Sequence, residues 1–377
     1  MFDLEAWKAV PFPFWAGVVF IFGTMVGSLL NVCIHRMPRG ESIVWPPSHC
    51  PHCNYSIPWY LNMPIITWLL LRGRCANCRA PISARYFVVE LLTGVAFLSC
   101  WLFYGRTHPG LALVYCLFLA GLIIATFVDF EHFIIPDEIT LGGAAIGFLL
   151  SAVVPAMHTN MFSGRIPAPA LALKQSFFGI VAGAGIVYSI LRLGKLLFGR
   201  QRFRFEPGTK IIFSETDLQL PEQTIPYDEI FYRKSDVIML HAKTIELTDR
   251  CYFNTPMRLS PSSLEIGDDK FDPNDVAHLE VVTEEMVVPR EAMGLGDVKF
   301  MAAIGAFLGW PAVLFSLMAS AVIGSIVGLA LIAIGRQAWS SRLPYGPYIA
   351  LAAALWIFGG KEWIATWLSQ GLKPGGF

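Results

Sequence analysis

The chain has 377 residues, 55% of them hydrophobic and 15% charged, with 28 acidic residues balancing 28 Lys and Arg. Apolar runs of roughly 20 residues recur, each able to cross a hydrocarbon core of about 30 Å, which excludes a single soluble globule and describes an α-helical polytopic membrane protein. The zero balance hides an asymmetry: residues 201–293 hold 18 of the acidic and 10 of the basic residues, leaving that stretch at −8 and the rest at +8, with no nucleic acid expected as partner.

The apolar spacing predicts about eight transmembrane helices, over 13–34, 87–105, 110–128, 140–157, 171–197, 298–312, 313–335 and 345–360. Asp3, Glu5 and Lys8 precede the first run without a basic start or a small-residue cleavage signal, so it reads as a retained anchor. The following loop holds Cys50-Pro-His-Cys53 and Cys75-Ala-Asn-Cys78, a C-x2-C-x21-C-x2-C pattern close to that of four-thiolate zinc ribbons. Two disulfides are the alternative. Cys33, Cys100, Cys116 and Cys251 lack partners at ligand spacing and read as small apolar fillers. Between the cysteine pairs, YLNMPIITWLLL (60–71) is too brief to span and reads as an interfacial piece.

Lys and Arg are unevenly shared among the loops. Arg36, Arg39, Arg72, Arg74, Arg79 and Arg85 follow the first helix, Arg192, Lys195, Arg200, Arg202 and Arg204 the fifth, and Arg336 and Arg342 the seventh. The alternate loops offer chiefly Arg106, Arg165 and Lys174, so the odd-numbered loops face the cytoplasm and both termini lie outside. Disulfides are rare in that reducing compartment, which favours a metal on the four cysteines.

Two acids lie at span ends: Asp129 closes LVYCLFLAGLIIATFVDF and Asp297 opens the sixth helix in GLGDVKF. Charge at bilayer depth is costly and marks function by default. The topology brings both to the cytoplasmic face, where two close carboxylates share a proton. One then acts as general base on water while the other polarises a peptide carbonyl. Gly294 and Gly296 permit a tight turn there. The other reading is a pair of helix-end carboxylates, Asp129 solvated and Asp297 capping. Glu90, about one turn inside the second span, calls for a cationic partner such as Arg36 or Arg85. Lys299 either serves the site or snorkels from its helix start.

Within 198–290, RFRFEPGTKIIFS (202–214), DVIMLHAKTIELT (236–248) and VAHLEVVTEEMVV (276–288) read as strands of an inserted β-rich soluble domain. No period of 20–50 residues is evident along the chain. The expected division is a first helix (1–34), a cysteine module (35–86), helices two to five (87–197), the insert (198–290) and the GxGD motif with the last helices (291–377).

The strings GSLLNVCIHRMPRGES (27–42), both cysteine pairs, ISARYFVVELLTG (82–94), VDFEHFIIPDEIT (128–140), GLGDVKFMAAIGAFLGW (294–310) and LPYGPYIALAA (343–353) together resemble the type IV prepilin peptidases. The resemblance covers nearly everything except the insert, where members usually have a short connection. It implies a bacterial inner-membrane, multi-pass aspartic endopeptidase of pilus or type II secretion systems, active at the cytoplasmic face. Such an enzyme cuts the leader from prepilins or pseudopilins after a glycine and N-methylates the new terminal residue from S-adenosylmethionine. Carried over by motif, Asp129 and Asp297 are the protease pair, with Asp137 the rival to Asp129; Cys50, Cys53, Cys75 and Cys78 hold structural zinc. Arg85, Glu90, Arg36 and Asn31, with Ser83 and Tyr86, are the methyl-donor candidates. The partners implied are pilin-type substrates, membrane lipid, and pilus or secretion assembly components. Two other functions fit parts of the pattern: a preflagellin-type peptidase without methylation, and an ion-coupled membrane carrier using its carboxylates as a proton relay.

Overall fold

A computed structural model describes residues 11–371 apart from 222–223, 228–229, 232–235, 248–249, 277, 290–293 and 336–342. Its helices are α1 (Phe12–Arg36), α2 (Ile66–Leu70), α3 (Ala84–Tyr104), α4 (Pro109–His132), α5 (Asp137–Val153), α6 (Pro169–Phe198), α7 (Leu295–Leu308), α8 (Trp310–Ala333), α9 (Gly346–Leu355) and α10 (Lys361–Gly371). Among the described residues, ten strands fall between α6 and α7. Chain contacts divide the molecule into a helical unit, Met1–Val187 with Leu295–Phe377, and a β unit, Tyr188–Gly294.

Helices stand at all eight expected places, and six are long and apolar enough to cross a membrane: Phe12–Arg39, Ala84–Tyr104, Pro109–His132, Pro169–Leu197, Trp310–Ala333 and Gly346–Ser369. The other two, α5 with 17 residues and α7 with 14, measure only about 26 and 21 Å at 1.5 Å per residue. The last expected helix ends at 360, but the apolar helix runs on to Ser369 through a kink at Phe358 and Gly359, whose φ is +133°. Glycine alone adopts that backbone without penalty.

Small residues set the seams of the helical unit, as expected where lipid offers no hydrophobic drive between helices. A Cβ on Gly179 of α6 would lie 2.0 Å from the carbonyl oxygen of Gly305 in α7, and one on Gly305 equally close to the Gly179 oxygen. The two backbones therefore touch. Ser176 Oγ, one turn earlier, donates to the Ala306 carbonyl at 2.8 Å and fixes the register. On the other side of α7, Gly143 and Gly147 of α5 face Ala303 and Phe307, so α5 and α7 run in the same direction. The most enclosed span is α4, with 72% of its central window buried.

The β unit comprises β1 (Arg200–Arg204), β2 (Lys210–Ser214), β3 (Asp217–Gln219), β4 (Thr224–Pro226), β5 (Ile238–Glu246), β6 (Cys251–Ser260), β7 (Ser263–Ile266), β8 (Asp269–Phe271), β9 (His278–Val282) and β10 (Glu285–Pro289). Hydrogen bonding runs β4-β3-β2-β9-β5-β6-β7-β8, with β10 joining β1 to β5. Sequence patterning found β1, β2, β5, β9 and β10 and missed the rest.

Although no period is evident in the sequence, the strand register of the β unit is symmetric. Adding 46 to each residue of β2 and subtracting 41 from each partner in β9 turns Ile212↔Glu280 and Lys210↔Val282 into Arg258↔Met239 and Pro256↔His241, all of them real pairs. The same exchange carries Ile245↔Val281 onto Met286↔Leu240. Local bonding agrees: Ser214 Oγ donates to the Asp217 carbonyl and Ser260 Oγ to that of Ser263, each at 3.0 Å. The core agrees too, Phe213, Leu218 and Ile225 matching Leu259, Leu264 and Phe271. The β unit thus has an internal pseudo-twofold, each half lending its closing strand to the other.

Candidate active site and cysteine cluster

Asp129 lies in the last turn of α4 and is only 6% exposed, which removes the solvated reading. Its Oδ2 accepts a 2.8 Å hydrogen bond from the backbone N–H of Gly346, the first residue of α9. A Cβ at Gly346 would sit 2.7 Å from that oxygen, so only glycine lets the amide approach. Phe133 closes α4 in the left-handed region at φ +53°, and the chain turns through Ile135 into α5. Ile135 packs against both Gly346 and Gly296 of the GxGD motif.

Asp297 is half-buried in the first turn of α7. Because α4 and α5 join by a tight turn and α5 parallels α7, α4 and α7 are antiparallel. The Phe118 and Phe307 rings meet across them, centroids 4.7 Å apart. Asp129 lies eleven residues beyond its ring and Asp297 ten residues before its own, about 17 and 15 Å along the helices in the same direction. The two acids stand at one level. Gly346 bonds Asp129, and Tyr345 beside it shares a 2.9 Å hydrogen bond with Ser320 of α8. Asp137, the rival acid, is exposed and paired with Lys299 at 2.6 Å. Neither Tyr345 nor Gly346 had a role in the sequence reading, although LPYGPY was among its motifs; an amide 217 residues from its acceptor leaves no local signal.

The four cysteines come together as two matching knuckles. In each, the first cysteine accepts from the N–H four residues on, Asn54 to Cys50 and Arg79 to Cys75, and those two residues take positive φ of +53° and +62°. The four Sγ atoms lie within 4.8 Å of one another and Cys50 and Cys78 are 3.8 Å apart, too far for a disulfide. A tetrahedral ion with bonds of about 2.3 Å needs sulfurs about 3.8 Å apart, so the cluster fits zinc. Backbone N–H groups of Cys78 and Asn77 pointing at the Cys75 sulfur pull its thiol down to about 6, while the Cys78 thiol, crowded by the other three sulfurs, is pushed up to about 11. All eight cysteines are free thiols.

The methyl-donor candidates separate. Glu90 takes neither Arg36 nor Arg85: its Oε2 accepts the Ile65 backbone N–H at 2.7 Å. Ile65 sits at φ +62°, a strained conformation for a β-branched residue. Arg36 instead donates to the Ser42 and Pro46 carbonyls at 2.9 and 2.7 Å. Arg85 is ion-paired with Glu131, tying the start of α3 to the end of α4. Ser83 caps α3, its Oγ accepting from the Arg85 N–H. Buried Asn31 donates to the Tyr86 carbonyl at 3.1 Å, while its Oδ1 has no partner among the described residues. Beside this junction a cleft of about 340 Å³ is lined by Ser28, Arg36, Ser48 and Asn62.

Two family models match the chain: one described as bacterial peptidase A24 N-terminal domain over residues 21–104, and one as the type IV leader peptidase family over 116–201 and 277–329. Relatives include the prepilin leader peptidase/N-methyltransferase of Aeromonas hydrophila, 27% identical over 391 residues covering 96% of this chain and 98% of the relative. Proteins of that name from Myxococcus xanthus and Dichelobacter nodosus are 44% and 34% identical, each over 49% of this chain, covering 60% and 69% of their own lengths. No solved structure matches.

Proposed function

Because the chain belongs to the type IV leader peptidase family, we propose that it removes the leader from type IV prepilins or pseudopilins after a glycine and N-methylates the new terminal residue. Asp129 and Asp297 are the catalytic pair. The observation that carries this is that the two acids stand at one level beside the Phe118–Phe307 contact, with Asp129 buried and held by Gly346. The Gly346 amide holds one Asp129 oxygen in place, leaving the other free for chemistry. One ionised carboxylate takes a proton from water as the water oxygen attacks the glycyl carbonyl carbon, and the protonated partner delivers its proton to the carbonyl oxygen. Collapse breaks the C–N bond as the departing amine takes up the proton held by the base, and a hydroxyl of the intermediate returns its proton to the partner carboxylate. Asp137, engaged by Lys299, is a positioning residue that seats the α7 start against α5.

The site faces the cytoplasm of a bacterial inner-membrane protein. The Arg85–Glu131 pair puts the arginine-rich cysteine module and Asp129 at one end of the helices, and the positive-inside rule assigns that end. On this reading α5 and α7 complete eight crossings, sheltered by longer neighbours. Zinc on Cys50, Cys53, Cys75 and Cys78 staples the module. S-adenosylmethionine, when bound, supplies an electrophilic methyl group. Arg36 and Ser28 line the cleft that would hold it, and Asn31 and Glu90 are the other candidates at the α1–α3 junction. Arg85 is committed to Glu131 and shapes the junction from outside the cleft. The 198–290 insert is the part available to pilus or secretion assembly components.

The test is co-expression with a candidate prepilin and intact-mass analysis of the product. Loss of the leader with a gain of one methyl group is expected. Unimpaired leader removal by Asp129→Asn or Asp297→Asn rejects the assignment. A trimmed, unmethylated product would instead indicate the preflagellin type.

A further inference from the structure

We propose that the cysteine module is a re-entrant membrane element, its 42–71 face seated in the headgroup and upper acyl region of the leaflet that α1 and α3 cross. The first observation is chemical. Between Glu41 and Arg72 no residue is Asp, Glu, Lys or Arg. The face this stretch presents is apolar and open: Val44 is 81% exposed, Trp45 73%, Trp59 82% and Leu70 78%, with Tyr60 and Leu69 also exposed. A water-facing loop of this composition would be an aggregation site, whereas Trp and Tyr on apolar ground suit the membrane interface.

The second observation is depth, and it is independent of exposure. Ile65 is held by Glu90, six residues into α3, so its backbone lies about 9 Å down that helix from its start. The Trp68 ring lies on Phe87 of the same helix, centroids 5.1 Å apart. On α1, Val44, Pro46 and Pro64 line one cleft with Met25 and Leu29. Met25 is eleven residues from the end of α1, about 16 Å along it. Both loops thus descend beside the spans instead of projecting from them. The module's apolar face is continuous with the outward face of α1, where Ile21, Phe22, Met25 and Leu29 are all more than half exposed.

The occupant is phospholipid because the spans that bound the module already fix where lipid begins. Exposed Arg39 and Glu41 at one end and Arg72 at the other bound the uncharged stretch, so on this placement its flanking charges meet the headgroups. One consequence, which rests on the function proposed above, is that the Ser28–Arg36 cleft opens at headgroup depth. A freed amine on a helix still in the bilayer can then reach it without leaving the lipid.

The full-length protein in liposomes tests the placement through tryptophan emission, comparing the wild type with the Trp45→Phe/Trp59→Phe variant. Phosphatidylcholine brominated on the upper acyl chain should quench a component that the variant lacks, while iodide in the buffer quenches both proteins alike. If the emission missing from the variant is instead the iodide-quenched part, these residues are in water and the proposal fails. Leader removal in the same vesicles is read separately, so failure of the placement and of the peptidase reading are distinguishable.

Discussion

The backbone N–H of Gly346 donates to the carboxylate of Asp129 at 2.8 Å, across 217 residues of chain. The bond ties the end of α4 to the start of α9, and it requires glycine because a Cβ would fall 2.7 Å from the accepting oxygen. Gly346→Ala must push the carboxylate aside. Displacements of about 1 Å can cost roughly 100-fold in rate. Leader cleavage should fall by that order in a protein that still inserts, as measured by mass analysis of prepilin product.

Asp137 and Lys299 are both more than a third exposed, so their 2.6 Å ion pair is worth roughly 0.2–1 kcal/mol. Asp137→Asn and Lys299→Gln should each slow cleavage by no more than about fivefold, and the exchanged pair Asp137→Lys with Lys299→Asp should recover part of any loss. Asp129→Asn should abolish it. If Asp137→Asn abolishes cleavage and Asp129→Asn does not, the two acids have been assigned the wrong way round.

Gly179 and Gly305 touch backbone to backbone, and a methyl group on either meets a carbonyl oxygen at 2.0 Å. Gly179→Ala should lower the unfolding midpoint in detergent by an amount corresponding to at least 1–3 kcal/mol, roughly the overpacking range. A Cβ on Gly185, in the same helix, meets nothing within 4 Å. Gly185→Ala should leave the midpoint unchanged or slightly raised, since alanine is the better helix former.

The four sulfurs call for one zinc ion per chain, detectable by elemental analysis of purified protein. Chelation or Cys75→Ser should remove it and lower the thermal midpoint. Methylation should fall further than leader removal, because the cleft leans on the module whereas Asp129 and Asp297 do not. Equal loss of both activities would mean that the metal supports the helices instead.

How much the sequence discloses depends on the range of the interaction. The helices, both acids and the thiol cluster are legible because each writes a local signature, whether an apolar run, a charge inside one, or paired cysteines. Glu90 was misread because a buried carboxylate can be satisfied by a main-chain amide, here that of Ile65, which carries no sequence mark. The short strands β3, β4 and β8 have three residues each, too few to show alternation. The symmetry of the β unit leaves almost no mark in the sequence: over 213–230 and 259–276 only Ser214/Ser260 and Leu218/Leu264 are identical. An unequal spacing before each closing strand hides the rest.

Since each half of the β unit takes its closing strand from the other, neither half can complete its sheet alone. A chain cut at its midpoint would keep two raw sheet edges open to sticking.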